Sequence, residues 1–493
     1  MAEPRETPEP DRPELGDLDP EAFRLHGHRV IDWIADYLEG LEDRPVREPT
    51  EPGETAAKVP DRPPADPEPM EAILDDLDRV VVPGMTHWAH PRFLAWFASS
   101  GSAPGVFAEA LSAAFNVNGM TWLAAPAANE LEEVAVDWLR QMVGLPEVFW
   151  GIVNEGASLN SVLGLAAARE AAGVEVRERG LAGREDLPRL VVYASEHAHS
   201  SIDKAAITLG FGTEGLRKIP VDDAFRMIPD ALEEAIAEDK SAGRIPVCAV
   251  GTVGTTSTTS IDPIEEIAPI CEREGIWLHV DAAYGGAAAV VPERRDVLAG
   301  CEQADSVIVN PHKWLFVPID LSVLFTRRPG VLRHAFSLVP EYLRDARGET
   351  VENRMDYGIT LGRRFRALKL WFVIRAFGAA GLADRVRDHL DLAGELAGWI
   401  DAHPRFERLA PTPLSVVCFR AVPPELEGDR AALNDYNERL LEAIDADGEF
   451  FLTHTRIEGR FAIRVAVNGL RTRAPHVREA WRAIRETERG IAG

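Results

Sequence analysis

The stretch GIWLHVDAAYGG, residues 275–286, decides the fold. Four of the five residues from Ile276 to Val280 are apolar, so both faces of this extended run avoid water; then come Asp281 and a turn with paired glycines. A strand without polar alternation is buried on both sides, as happens when helices cover a largely parallel sheet. The same pattern recurs in FWGIV, RLVVYAS, VCAVGTV and DSVIVN, interleaved with the helical runs ANELEEVAVDWLRQMVG and SLNSVLGLAAAREAAG. Strands alternating with helices predict an α/β fold, and in such sheets ligands sit beyond the carboxyl ends of the strands.

The residues just beyond each strand are therefore the place to look for chemistry. DSVIVN runs into Pro311, His312 and Lys313, and then directly into Trp314, Leu315 and Phe316. A lysine set among apolar groups is desolvated, which favours its neutral, nucleophilic form. Asp281 closes its strand, where a turn or helix-capping role is the ordinary reading. After RLVVYAS come His197 and His199, an H-x-H pair for which the sequence offers no third metal ligand nearby, so a ring stacked on a ligand or hydrogen-bonded in the core is preferred. Gly156, Ala157 and Ser158 open a helix just after a strand and leave backbone N–H groups for an anion, although any helix start has such groups. Thr255 and Thr256 come after another strand and add hydroxyls.

Other readings lack their anchors. GFGTEG, residues 210–215, matches G-x-G-x-x-G but comes after a helix-like stretch and precedes a strand, the reverse of a dinucleotide site. There is no P-loop sequence and no G-x-S-x-G elbow. The chain has 493 residues, 46% of them hydrophobic, and a formal net charge of -27, a balance that argues against a nucleic-acid surface. Cys248, Cys271, Cys301 and Cys418 are widely spaced and suggest neither a disulfide framework nor a cysteine zinc site. The N-terminus shows no signal-peptide pattern and no run is long enough to span a bilayer, so a cytoplasmic location is expected.

One ligand satisfies the site features together. A phosphate fits the helix start, a flat ring fits beside His199, a basic ring nitrogen fits beside Asp281, and an aldehyde fits Lys313; pyridoxal phosphate has all four. The motifs HVDAAYGG, NPHKW, AHSS and LGRRFRALKLW, with THWAHPRF and TWLAAPAANELE, resemble the group II pyridoxal-phosphate decarboxylases, in their aromatic-L-amino-acid decarboxylase branch. The resemblance runs from about Asp19 to near the C-terminus. It implies a type I aminotransferase-like fold, an intertwined homodimer, and decarboxylation of an aromatic L-amino acid to its amine.

By the same resemblance Lys313 carries the cofactor through an imine, Asp281 partners the ring nitrogen and His199 stacks on the ring. Ala157, Ser158, Thr256, Ala283, Asn310 and His312 would complete the cofactor site. Tyr342, in the charged segment SLVPEYLRDARGETVENRMDYG read as a mobile lid, would be the catalytic acid. Trp88, Trp96, Phe97, Ser99, Asn118, Met120 and Gly362 would line the substrate pocket, with Asn118 and Met120 coming from the partner subunit. Asn118 and Met120 depart from the animal pattern, and Glu155 replaces a small residue at the phosphate turn. Aldehyde-forming members commonly lack the tyrosine or the histidine, and both are present here. Alternatives are a group II decarboxylase for glutamate or histidine, an aldehyde-forming relative, a metal-dependent hydrolase on His197 and His199, or a non-catalytic cofactor-binding scaffold.

The expected organisation is an acidic tail over 1–18, a dimer-forming helical segment over 19–84, a large cofactor-binding domain over 85–374 and a small α+β domain over 375–493.

Overall fold

The structure, a computed structural model, describes residues 16–338, 351–446 and 448–492. It divides into two compact units, one ending at Thr86 and one beginning at His87. In the first, the helix Pro20–Glu39 starts on Asp19, whose carboxylate accepts from Glu21 N and Ala22 N, with Pro20 in the first turn where its missing N–H costs nothing. Arg29 pairs with Glu71 and Trp33 Nε1 donates to Asp78, which ties this helix to the helix Met70–Asp76 and the turn after it. The long helix buries none of its own residues.

The second unit is built on a seven-stranded sheet: β1 (Trp150–Asn154), β2 (Leu190–Ser195), β3 (Leu216–Ile219), β4 (Ile245–Thr252), β5 (Trp277–Asp281), β6 (Ser306–Val309) and β7 (Ser322–Thr326). The spatial order is β1-β7-β6-β5-β4-β2-β3. Pairings among β3, β2, β4, β5 and β6 are parallel, whereas β7 runs antiparallel to both β6 and β1. Strands β2, β5, β6 and β7 are buried at every position, as their apolar runs require. Helices cover the sheet, and the main core gathers residues of its strands with the helices Pro126–Val143, Pro229–Ser241 and Ile264–Glu274.

β7 is absent from the sequence reading although LSVLFT is a mostly apolar run that ends at Arg327, Arg328 and Pro329-Gly330, because it lies only a few residues beyond the lysine turn and reads as part of that turn. Its antiparallel return is what keeps the turn carrying Lys313 at the carboxyl end of the sheet. The paired glycines after Asp281 also have a structural cause. A Cβ on Gly285 would stand 2.5 Å from Val253 O, so only glycine lets the turn after β5 pack on the end of β4.

A second, four-stranded antiparallel sheet consists of β8 (Phe406–Arg408), β9 (Val416–Ala421), β10 (Thr453–Ile457) and β11 (Arg460–Ala466) in the order β10-β11-β9-β8. Helices Arg430–Asp445 and Ala474–Ala492 accompany it, with a separate core around Phe419, Phe461 and Trp481. The helix before it starts at Ala367, earlier than its charged stretch suggests, and is interrupted at Gly378, whose φ of 67° breaks the helical run.

Candidate active site

The parallel register places Thr252 beside Asp281 and Asp281 beside Ile308, so β4, β5 and β6 end side by side. A cavity of about 300 Å³ opens at these ends, and Asp281, Lys313 and His199 all line it. Asp281 is 5% exposed, and its Oδ1 accepts from Ala283 N at 3.1 Å. Lys313 sits in the short helix Pro311–Trp314, its backbone N–H bonded to Asn310 O at 3.0 Å. Its Nζ stands 5.2 Å from the centre of the Phe97 ring and has no ion-pair or hydrogen-bond partner among the described residues. Burial lowers the Lys313 pKa; the Asp281 carboxylate opposes this shift and the Arg464 cation adds to it.

His199 caps the helix Ser200–Thr208, with Nδ1 accepting from Ser201 N at 3.1 Å. Its ring is thereby held with Nε2 as the remaining nitrogen, which carries the proton in the neutral ring. Loss of solvation lowers its pKa, Asp281 raises it and Lys313 lowers it. Ala157 and Ser158 reach the cavity from the start of the helix Ala157–Ala171, where no side chain of the described residues caps the free N–H groups. Thr256 reaches it too, while Thr255 turns into a buried hydroxyl cluster with Thr258 and Ser260. Ala283, Asn310 and His312 complete this wall. His312 is buried, accepts from Leu321 N at 3.0 Å, and has its pKa lowered to about 4 by burial, so its ring is neutral at pH 7.

Of the seven residues expected around the substrate, Phe97 alone lines this cavity. It stacks on Tyr284 at 3.7 Å, and Tyr284 on Trp314 at 4.8 Å, so the aromatic wall is continuous with the core. Trp88 and Trp96 stack on each other at 5.3 Å and stay half exposed beside Phe451, and Ser99 is half-buried off the cavity wall. Asn118, Met120 and Gly362 gather elsewhere: Asn118 Oδ1 accepts from Met120 N at 3.2 Å and Arg363 N at 2.9 Å, and a Cβ on Gly362 would lie 3.9 Å from Asn118 Nδ2. Tyr342 and most of the expected lid lie outside the described residues. His197 packs edge-on against Phe225 at 5.5 Å, and among the described residues no group of three or more His, Cys, Asp or Glu is set to hold a metal ion.

Five cavity residues escaped the sequence reading: Thr252, Gly254, Tyr284, Ile319 and Asp320. Thr252 ends β4 as Asp281 ends β5, a signal that was available; its Oγ1 is buried with no partner among the described residues, and the residue lines the cavity. Tyr284 forms part of the wall, and Asp320 lines the mouth, where its carboxylate accepts from Arg366 Nε at 2.9 Å. The same guanidinium lies 3.4 Å from Glu155 Oε1, which offsets the extra carboxylate at the helix start.

These groups fit pyridoxal phosphate. An uncapped helix start suits its phosphate, an unpaired Thr252 hydroxyl and a largely unsatisfied carboxylate suit a polar ring, and an unpartnered amine suits an aldehyde. The fold and this cavity define a pyridoxal-phosphate enzyme.

Residues 52–422 match the Pyridoxal-dependent decarboxylase conserved domain, and the chain belongs to that family. It is 41% identical to a phenylacetaldehyde synthase of Petunia hybrida over 95% of this chain and 94% of that one. It is 39% identical to Tyrosine decarboxylase 4 of Petroselinum crispum over 96% of this chain and 94% of that one. The crystal structure of Oryza sativa TDC with PLP and tryptamine superposes with a TM-score of 0.93 at 35% identity, covering 97% of this chain and 100% of that one. The cofactor of this protein is pyridoxal 5'-phosphate.

Proposed function

We propose that this chain converts an aromatic L-amino acid into the corresponding amine and carbon dioxide. The observation that carries the reading is the meeting of Lys313, Asp281 and His199 around one cavity at the ends of adjacent strands. When bound, pyridoxal phosphate supplies an aldehyde for amines and a protonated ring that accepts the electron pair left as carbon dioxide departs. Lys313, its charge disfavoured by burial, offers the amine that takes the aldehyde. Asp281 would keep the proton on the ring nitrogen, since a buried carboxylate favours a cation beside it. His199 would cover one face of the ring, and the start of the helix Ala157–Ala171, with Ser158, Thr256 and Asn310, would hold the phosphate. Tyr342 returns a proton to the substrate carbon.

Similarity to phenylacetaldehyde synthases favours a second reading, in which the product is the aldehyde. The presence of both His199 and Tyr342 supports the amine. Incubating cofactor-loaded protein with tryptophan, tyrosine, DOPA, phenylalanine, histidine and glutamate, and measuring carbon dioxide, amine and aldehyde for each, separates these readings. Amine from the aromatic substrates is the expected result. Lys313→Ala should lose the visible absorbance of the cofactor-bound protein together with turnover; retention of both would remove Lys313 from its role.

The working unit is a homodimer. On the helix Ala103–Phe115, Phe107, Leu111 and Phe115 recur one turn apart and all are exposed, a stripe that a second copy would cover. The helix Pro20–Glu39, with exposed Phe23, Leu25 and Ile31, supports the same reading. Residues 85–374 then form the cofactor-binding domain and 375–493 the small domain. The four cysteines are free and buried, which accords with a reducing cytoplasm.

A further inference from the structure

Four buried polar side chains run in single file to the cavity wall. Asn154 ends β1, Asn160 lies in the first turns of the helix Ala157–Ala171, Ser322 opens β7, and Asn310 comes directly after β6. None is more than 4% exposed. Asn154 Nδ2 donates to Asn160 Oδ1 at 2.7 Å, Asn160 Nδ2 donates to Ser322 Oγ at 2.7 Å, and Ser322 Oγ donates to Asn310 Oδ1.

With Asn154 Nδ2 as the first donor, the polarity of this file follows link by link. A carboxamide whose oxygen is taken has only N–H groups left to give, and a hydroxyl that receives a bond from one neighbour has a single proton to pass to the next. Asn310 therefore ends the file with its oxygen engaged and its Nδ2 left over. That nitrogen donates to no described group, and Asn310 lines the cavity together with Ala157 and Ser158. Hydrogen bonds in a chain polarise one another, so the last N–H is a stronger donor than an isolated amide.

We propose that Asn160 and Ser322 are positioning residues, holding Asn310 so that its N–H, and not its carbonyl oxygen, faces the phosphate of the cofactor. This rests on the reading of the cavity as a pyridoxal-phosphate site. The two ends of a carboxamide are almost equal in size, so packing does not choose between them and the hydrogen-bond partner must. Without the Ser322 hydroxyl, Asn310 loses the bond that fixes its oxygen and can turn that oxygen toward a dianion. The backbone of Asn310 also starts the turn that carries Lys313, through the bond from Lys313 N to Asn310 O. Register adds a reason for the location: Asn154 and Ser322 are partners across β1 and β7, so the sheet itself brings the first and third members of the file together.

The test compares two ligands on each protein. Apoprotein carrying Asn160→Ala, Ser322→Ala, both changes, or Ser322→Cys is titrated with pyridoxal phosphate and, separately, with pyridoxal, which lacks the phosphate; binding is read from absorbance and protein fluorescence. Each alanine variant should bind pyridoxal phosphate about 10-fold more weakly while pyridoxal changes by less than about 2-fold, and the double variant should be little worse than either single one, because each breaks the same file. Ser322→Cys, keeping a weak donor of similar volume, should recover part of the loss. Equal weakening for both ligands would assign these residues to packing and overturn the proposal, as would unchanged binding of both. Thermal unfolding of the apoproteins accompanies the titrations, and should Asn160→Ala fail to fold, the two Ser322 variants carry the comparison. If unsubstituted protein binds no pyridoxal phosphate, it is the reading of the cavity that fails.

Discussion

Asp281 and Thr252 are register partners at the ends of β5 and β4, and both face a cavity that also receives Lys313. Among the described residues the carboxylate has one hydrogen bond, from Ala283 N, which leaves the other oxygen for a ring nitrogen. Asp281→Asn keeps the size and the hydrogen bond but loses the charge that favours a protonated ring. The variant should still bind cofactor and show its visible absorbance, while amine formation falls by about 10³-fold. Turnover within a few-fold of the unsubstituted protein would show that the carboxylate does not control the ring.

The strands that carry Asp281 and Lys313 are legible in the sequence because each is largely apolar and runs at once into a polar or turn residue. β1, β2, β4, β5 and β6 needed no more than this rule. β7 meets the same rule but goes unread beside the lysine turn, whereas β8 is only three residues long and β10 alternates partly buried and exposed residues along an edge. Lys313 and Asp281 were found through their position after strands, and Thr252 met the same rule but has a less reactive side chain. The file through Asn154, Asn160 and Ser322 has no sequence signature, since its members lie on three elements that only the sheet order brings together. For the substrate pocket, sequence position identified one residue of the single-chain cavity, Phe97, while Asn118 and Met120 lie off its wall.

Three buried histidines make folding stability depend on pH. Burial lowers the pKa of His279 to about 4, of His312 to about 4 and of His389 to about 3. Each is held in a neutral role: His279 Nδ1 meets Ser306 Oγ at 2.7 Å, and His389 Nδ1 accepts from Trp314 Nε1 at 2.9 Å. Below the unfolded value near 6.5 the unfolded chain takes up protons that the folded chain refuses, so stability falls as pH falls from about 7 toward 4. Asp262 works the other way, because burial raises its pKa to about 6 and the folded chain keeps a proton that the unfolded chain releases between about pH 4 and 6. The histidines outweigh it. Urea unfolding of the apoprotein at one fixed concentration should give a stability about 3 kcal/mol lower at pH 5.5 than at pH 7.5. Equal stability at the two values would mean that these rings are protonated in the folded protein.

Tyr342 lies outside the described residues, and its role rests on the resemblance in the segment that carries it. A phenol in contact with substrate can return a proton to carbon, which completes amine formation. Tyr342→Phe should leave cofactor affinity within about 2-fold, slow amine formation by about 10²-fold and divert part of the substrate to aldehyde and ammonia when oxygen is present. Product analysis under air and under nitrogen checks this. Unchanged amine turnover would remove Tyr342 from the mechanism.

Phe107, Leu111 and Phe115 are 50%, 42% and 59% exposed on one helix, which also carries Gly105, Ala108 and Ser112 on its buried side. An amphipathic helix needs one apolar face toward its own core; a second apolar face toward water is unfavourable unless another surface covers it. Burying a side chain of this size contributes roughly 1.5–3 kcal/mol, and a stable pair of subunits would bury each residue of the stripe twice, once in each copy. Leu111→Glu places a charge at the centre of the stripe without touching the core side. Light scattering on a sizing column should then show the 54.1 kDa chain as a monomer, against twice that mass for the unsubstituted protein. Apoprotein secondary structure by circular dichroism should stay unchanged, since Leu111 is 42% exposed and belongs to none of the buried cores. A variant that remains dimeric at low micromolar concentration would place the contact between copies on another face.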